Sequence, residues 1–164
     1  MSDHPLSPDE FKAIYSRVPR VCVDLVLMIN RLPARNNLVL LTKRTIDPKV
    51  WHLPGGTLRH GESIHDAAAR VAARELGLPL APGGRVLGVI EYPSHHPHGD
   101  SPIGIAYMVP LPNENQRSIS LNEEASDYLW ASDTPEGTHT DQCRFIRALF
   151  ARGEDPTGPR EGET

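Results

Sequence analysis

The chain has 164 residues and a formal net charge of -4, a length that fits one domain with its own core. We predict that this domain spans residues 1–152 and that residues 153–164, rich in Gly, Pro and charge, form a disordered tail. The charge excludes a broad basic surface for nucleic acid or an anionic membrane. No apolar run approaches the roughly 20 residues of a membrane span and the start lacks the regions of a signal peptide, so we expect a cytoplasmic protein.

The first part of the chain is predicted to be a helix followed by two strands. Ser7 and Pro8 supply an N-cap and a first-turn proline, which favours a helix over residues 7–18 that packs or dimerises at an edge. Alternating apolar residues predict a strand over residues 20–30, and a second apolar run predicts one over residues 38–44.

The strongest predicted helix covers residues 63–76. Ser63 followed by Asp66 resembles a capping box, and Gly77 stands where a left-handed C-terminal residue belongs. Apolar residues at spacings of three and four form one stripe, which indicates a buried face: Ile64, Ala67, Ala68, Val71, Ala72 and Leu76.

The second half of the chain is predicted to complete a sheet and end in a helix. Strands are expected at residues 85–92, 103–111 and 127–131, and a helix at residues 140–152. The loop at residues 93–102 is long enough to reach over a site. A sheet interrupted by one central helix and closed by another predicts an α+β or three-layer arrangement.

The segment W-H-L-P-G-G-T-L-R-H-G-E, residues 51–62, runs directly into the central helix and carries the main chemical signal. Two glycines after a proline allow a sharp turn that brings bare backbone close to a ligand, so this loop is predicted to help hold a metal. Arg70 and Glu75 lie about 140° apart around a helix of 3.6 residues per turn, so they are expected to have different partners.

This segment and helix resemble the box of the Nudix family, G-x5-E-x7-R-E-U-x-E-E-x-G-U. The matching residues are Gly56, Glu62, Arg70, Glu75, Gly77 and Leu78. The resemblance implies a hydrolase with an α/β/α sandwich, a mixed central sheet and a loop-helix motif, using Mg²⁺, for which Mn²⁺ could substitute. It implies a small nucleotide as substrate, and we also expect a homodimer.

The chain departs from the box at two positions where the family has glutamates, which are Val71 and Arg74 here. Magnesium keeps several waters and can be held by one or two carboxylates with substrate phosphates, so this loss predicts fewer metals rather than none. The same two losses make the pattern most similar to the branch of GDP-mannose mannosyl hydrolases. That resemblance covers roughly residues 7–150, with short matches at residues 23–24 and 43–45.

The closer resemblance implies roles for individual residues. Gly55, through its carbonyl, Glu75 and Glu124 would hold the metal, while Asp24 and Arg44 would help a diphosphate leave from a sugar carbon. Two positions differ from that branch, because Ala125 replaces its general-base histidine and Thr57 replaces an arginine.

Several residues admit more than one interpretation. Asp24 interrupts an apolar strand, so it faces a ligand, a cation or solvent at an edge. Arg70 either braces Glu62 and the preceding loop or contacts substrate, and Arg74 either binds phosphate or projects into water.

Several residues are candidates for the general base. Glu124 is the first choice, and Glu123 and Asp127 are the other candidate carboxylates. Histidines of the long loop, His95, His96 and His98, could also act as base or bind substrate, or they could serve only solubility.

Three functional hypotheses follow. The first is hydrolysis of a nucleotide sugar to a nucleoside diphosphate and free sugar. The second is attack on phosphorus, which gives a nucleoside monophosphate. The third is a catalytically weak domain that binds a nucleotide.

Overall fold

The computed structural model describes residues 6–31, 36–80, 83–93, 101–111 and 118–152. The predicted long loop and tail, including His95, His96 and His98, therefore lie largely or wholly outside the described residues. Three helices and seven strands are found in the described ranges. They are α1 (Pro8–Tyr15), β1 (Val21–Arg31), β2 (Asn36–Arg44), β3 (Trp51–His52), β4 (Gly55–Thr57), α2 (Ile64–Leu76), β5 (Arg85–Glu91), β6 (Ile103–Pro110), β7 (Ala125–Ala131) and α3 (Thr140–Arg152).

The strands form one mixed sheet in the order β3-β2-β1-β6-β5, with β4 paired to β1 and β7 paired to β2. The β1 and β6 strands run parallel, whereas the other pairs are antiparallel. Near its start β1 pairs with β4, and only its later residues, Met28–Arg31, pair with β2. The two strands therefore diverge at one end of the sheet, and the loop that contains β3 and β4 enters between them.

Alternation along β1 sends its side chains to two separate cores. Val23, Leu25 and Leu27 pack with the apolar stripe of α2, while Val26 and Met28 pack with Ile146 and Leu149 of α3 and other residues. One helix thus covers each face of the sheet, which confirms the α+β class and the three-layer α/β/α sandwich.

The helix ends follow the predicted local chemistry. Ser63 Oγ accepts from the Asp66 backbone N–H, and Gly77 ends α2 in the left-handed region with φ 64°. Ser7 caps α1 with a complete capping box through Glu10, but α1 ends at Tyr15 rather than at residue 18 and has no buried residue.

One predicted strand boundary needs correction as well. The last strand begins at Ala125 instead of residue 127, because its pairing with β2 continues past a register shift to Arg44. The short strands β3 and β4 were not predicted.

Candidate functional site

The glycine loop lies against β1 at its diverging end. Gly55 is the register partner of Asp24, and Gly56 that of Val23. A Cβ added to Gly55 would lie 2.9 Å from the Asp24 Oδ1 atom and 3.0 Å from the Val23 carbonyl oxygen. Only glycine allows this close approach, so the loop backbone and the Asp24 carboxyl are held side by side.

Arg70 braces the loop, as one of its two interpretations predicted. Its Nε and Nη2 atoms donate to the two Glu62 carboxylate oxygens at 2.7 and 2.8 Å, and Nη2 also donates to the Thr57 carbonyl at 2.9 Å. This bidentate pair is largely shielded from solvent. The hydrogen bonds from Arg70 lower the pKa of Glu62, so the brace stays charged.

Glu75 lies on the buried side of α2, with 4% of its surface exposed. Glu75 is not part of the apolar stripe predicted from the sequence, yet the structure buries it with that stripe. Glu75 is buried in α2 together with Val71 and Leu76. The Gly55 backbone of the glycine loop hydrogen-bonds to its carboxylate. Burial raises its pKa to about 7, with the nearby Glu124 acting in the same direction, while Arg74 and a Gly55 backbone hydrogen bond favour the charged form.

Arg74 joins two carboxylates instead of projecting into water. Its Nη2 atom lies 2.7 Å from a Glu75 oxygen and 3.4 Å from a Glu124 oxygen. The Glu124 side chain is 56% exposed, so it is free to reorient. Arg70 and Glu75 have different partners, as expected from their positions around the helix. Glu75 pairs with Arg74, whereas Arg70 pairs with Glu62.

Asp24 is buried, with 5% of its surface exposed, which rules out the solvated-edge interpretation. The Tyr92 hydroxyl donates to its Oδ2 atom at 2.8 Å and accepts from Gln142 Nε2 at 2.7 Å. The Gln142 Oε1 atom in turn accepts from the Leu53 N–H at 2.8 Å. Burial raises the pKa of Asp24 to about 7, opposed by the Tyr92 hydrogen bond and by the charges of Arg44 and Arg20.

Two adjoining cavities lie beside these residues. One, of about 390 Å³, is lined by Glu75, Glu123, Glu124 and Ala125 among others, and we call it the acidic lobe. The other, of about 220 Å³, is lined by Arg20, Asp24, Tyr92 and Gln142 among others, and we call it the basic lobe. Both are lined by Arg44, Ile46, His52 and Gly55, so the lobes form one continuous site.

A larger cavity, of about 550 Å³, lies between β5 and α3 and includes Glu91, Asp141 and Arg144 in its wall. Neither the glycine loop nor a residue of the box lines it. The chemistry predicted from the sequence is thus concentrated at the two lobes and not at this larger cavity.

The structure brings together Asp24, Arg44, Gly55, Glu75 and Glu124 from the predicted set. It places Gly56, Glu62, Arg70 and Gly77 in the supporting loop-helix. The residues that line the lobes without having been predicted there include Arg20, His52, Tyr92 and Gln142. For Gln142 the available signal was a polar residue at helical spacing from the apolar Ile146 and Leu149 on one face of α3. For Tyr92 the partner lies 68 positions away, so no local pattern reveals it.

Comparison with known proteins identifies the family. The model of the NUDIX domain matches residues 19–149. This chain belongs to the Nudix family. The low-salt glycan biosynthesis protein Agl8 of Haloferax volcanii is 33% identical over 148 residues, which cover 86% of this chain and 88% of Agl8.

Solved Nudix structures share the fold at lower identity. The MutT NUDIX hydrolase of Burkholderia pseudomallei superposes with a TM-score of 0.65 at 20% identity, covering 80% of this chain and 97% of that one. The NUDIX domain of Shewanella oneidensis NrtR, solved with ADP ribose, gives 0.64 at 20% identity, covering 90% and 99%. The family, the fold and the assignment to the Nudix hydrolases are thereby confirmed.

No helix in the described ranges is long and apolar enough to span a membrane. The homodimer, the cytoplasmic location and the extent of the domain stay predictions.

Proposed function

We propose that this Nudix hydrolase cleaves a nucleotide sugar to a nucleoside diphosphate and a free sugar, with a divalent cation, Mg²⁺ or Mn²⁺, as cofactor. The observation that carries the proposal is the placement of a buried carboxyl, Asp24, with two arginines, Arg20 and Arg44, in a small lobe directly beside the acidic lobe. A diphosphate lying across both lobes would meet positive charge and a hydrogen-bond donor at one end and the cation at the other.

The acidic lobe fits one cation better than several. In the described ranges no three His, Cys, Asp or Glu side chains form a group that could hold a metal. Two carboxylates, those of Glu75 and Glu124, nevertheless both lie near the Arg74 guanidinium. A buried carboxylate whose neighbour is a second carboxylate favours a cation between them. Glu75, Glu124 and the Gly55 carbonyl would hold it, with water and phosphate oxygens completing its shell.

When bound, the cation would neutralise charge on the diphosphate as that group leaves. Arg44 lies at the junction of the lobes and would add positive charge there. The Asp24 carboxyl in its protonated form would donate a hydrogen bond to a phosphate oxygen of the leaving group, and Tyr92 orients that carboxyl. These two residues would stabilise the diphosphate as its bond to the sugar breaks.

The glycan connection of the relative Agl8 also supports a sugar-bearing substrate, as does the ADP ribose bound to the NrtR domain, since ADP ribose is a nucleoside diphosphate linked to a sugar.

A panel of nucleotide sugars with Mg²⁺ or Mn²⁺ tests the proposal. We expect at least one member to yield nucleoside diphosphate and free sugar by chromatography, with turnover lost on chelation. Nucleoside monophosphate and sugar phosphate would instead support attack on phosphorus. No turnover on any member, combined with binding by calorimetry, would establish the nucleotide-binding alternative.

A further inference from the structure

His52 lies at the junction of the two lobes and lines both of them. Its Nδ1 atom is 2.7 Å from the Leu53 carbonyl oxygen. A carbonyl oxygen can only accept, so Nδ1 carries the hydrogen of the neutral ring. The tautomer is thereby fixed, and the Nε2 atom keeps a free lone pair.

Thr42 is the cross-strand neighbour of His52 in the antiparallel β2 and β3 pair. Side chains directly opposite in such a pair project from the same face, with Cβ atoms about 5 Å apart. Thr42 is fully buried, and its hydroxyl has no hydrogen-bond partner in the described part of the chain. A buried hydroxyl without a partner is costly, so a polar group of a ligand or a water is expected beside it.

The surroundings keep the imidazole in the form that accepts a proton. Burial lowers the pKa of His52 to about 4, and the charge of Arg44 acts in the same direction. His139, whose ring packs edge-on against Tyr92, adds a smaller effect of the same sign. A diphosphate bound at Arg44 would bring negative charge to this wall and so stabilise an imidazolium formed there.

Glu124 is less suited to accept this proton. Its carboxylate already faces the Arg74 guanidinium, and it is a proposed ligand of the cation. A lone pair engaged with a cation is not available to a water. Ala125, which follows it in the wall of the acidic lobe, has no group that could act.

We propose that His52 is a catalytic residue that deprotonates the attacking water through Nε2, with the Thr42 hydroxyl as hydrogen-bond partner of that water. The inference rests on the proposed function. The water O–H bond breaks and its proton moves to Nε2, while the water oxygen forms a bond to the sugar carbon. The bond from that carbon to the phosphate oxygen breaks, and its electron pair leaves with the diphosphate. The imidazolium then releases its proton to solvent.

Chemical rescue separates this role from a structural one. Substitution His52→Ala removes the base and leaves a space beside the open lobes, so we expect turnover to fall about 100- to 10,000-fold and to recover in proportion to added imidazole. Glu136→Ala, at an exposed position that lines neither lobe, is the control and should keep wild-type turnover. A loss that imidazole does not restore would overturn the proposal.

An amide substitution gives a second readout. The amide nitrogen of His52→Asn can replace Nδ1 and keep the hydrogen bond to Leu53, but it leaves nothing at the Nε2 position. We expect this variant to fold with a wild-type melting temperature. Its kcat should be strongly reduced, while its KM should change little. An active His52→Asn enzyme would show that only the Leu53 contact matters.

Glu124, the competing candidate for the base, can be tested by a separate chemical rescue. If Glu124→Ala were restored by formate while His52→Asn stayed active, Glu124 would be the base and the inference would fail. All these variants use whichever nucleotide sugar the wild-type enzyme hydrolyses. If the proposed function fails, the wild-type enzyme itself hydrolyses no nucleotide sugar. If only this inference fails, the wild-type enzyme is active and the variants depart from the turnover expected above.

Discussion

Glu75→Gln is expected to lose at least about a hundredfold in metal-dependent turnover, because it removes the charge of the buried carboxylate that the proposed cation site depends on. The change keeps the side-chain volume. Glutamine also resembles the protonated carboxyl that burial favours in the metal-free protein, since burial raises the pKa of Glu75 to about 7. The fold should therefore be retained.

The sign of the effect on stability follows from that pKa. A folded pKa above the unfolded value of 4.5 means that the folded state binds more protons between the two values, so the metal-free wild type loses stability as pH rises through this window. Glu75→Gln should lack that loss and be at least as stable at neutral pH. Steady-state rates, calorimetric metal titration and thermal melts at several pH values measure these effects.

The exposed Glu136→Gln serves as the matched charge control for Glu75→Gln. It should retain both turnover and metal affinity. Wild-type turnover and metal affinity in Glu75→Gln itself would remove the residue from the metal site.

Gly104→Ala is expected to reduce both stability and turnover. A Cβ at Gly104 would clash with Asp24 Oδ2 and would lie 3.0 Å from Tyr92 Cε2. One of the two side chains must move, which breaks their 2.8 Å hydrogen bond. Overpacking of this kind costs about 1–3 kcal/mol, which corresponds to a fall of roughly 2–10 °C in melting temperature for a chain of this size.

Gly88→Ala on the neighbouring strand is the matched control, because its added Cβ would have a 3.4 Å contact with Phe145. Combining Gly104→Ala with Asp24→Ala should restore part of the lost stability, since the clashing carboxyl is gone, but should not restore turnover. An unchanged melting temperature in Gly104→Ala would mean that Asp24 is not confined as the structure indicates.

The sequence predicts the parts of this fold that depend on neighbouring residues. Ser63 and Gly77 delimit α2 because capping is a local interaction, and the alternating apolar residues of β1 identify a strand. The parallel pairing of β1 with β6 joins segments about 80 residues apart in register, so periodicity within either strand contains no information about it. Strands as short as β3 show no period at all.

The candidate site divides in the same way. Bracing of Glu62 was one of two roles predicted for Arg70, and it was within reach of the sequence because both residues belong to one loop-helix unit. Glu75 is buried because the glycine loop packs against α2, and the helical period contains no information about that contact. The period alone places Glu75 beside the apolar stripe and not in it. His52 gains its significance only through pairing with Thr42 and the contact of Nδ1 with the next carbonyl.

The position of bond cleavage tests the central claim most directly. The wild-type enzyme should be given its nucleotide sugar in water enriched in oxygen-18, and the products analysed at once by mass spectrometry, before the sugar exchanges its anomeric oxygen. Because Asp24 and Arg44 are proposed to stabilise the leaving diphosphate, we predict that the label enters the sugar hydroxyl and is absent from the nucleoside diphosphate. Label in a phosphate group would contradict the account.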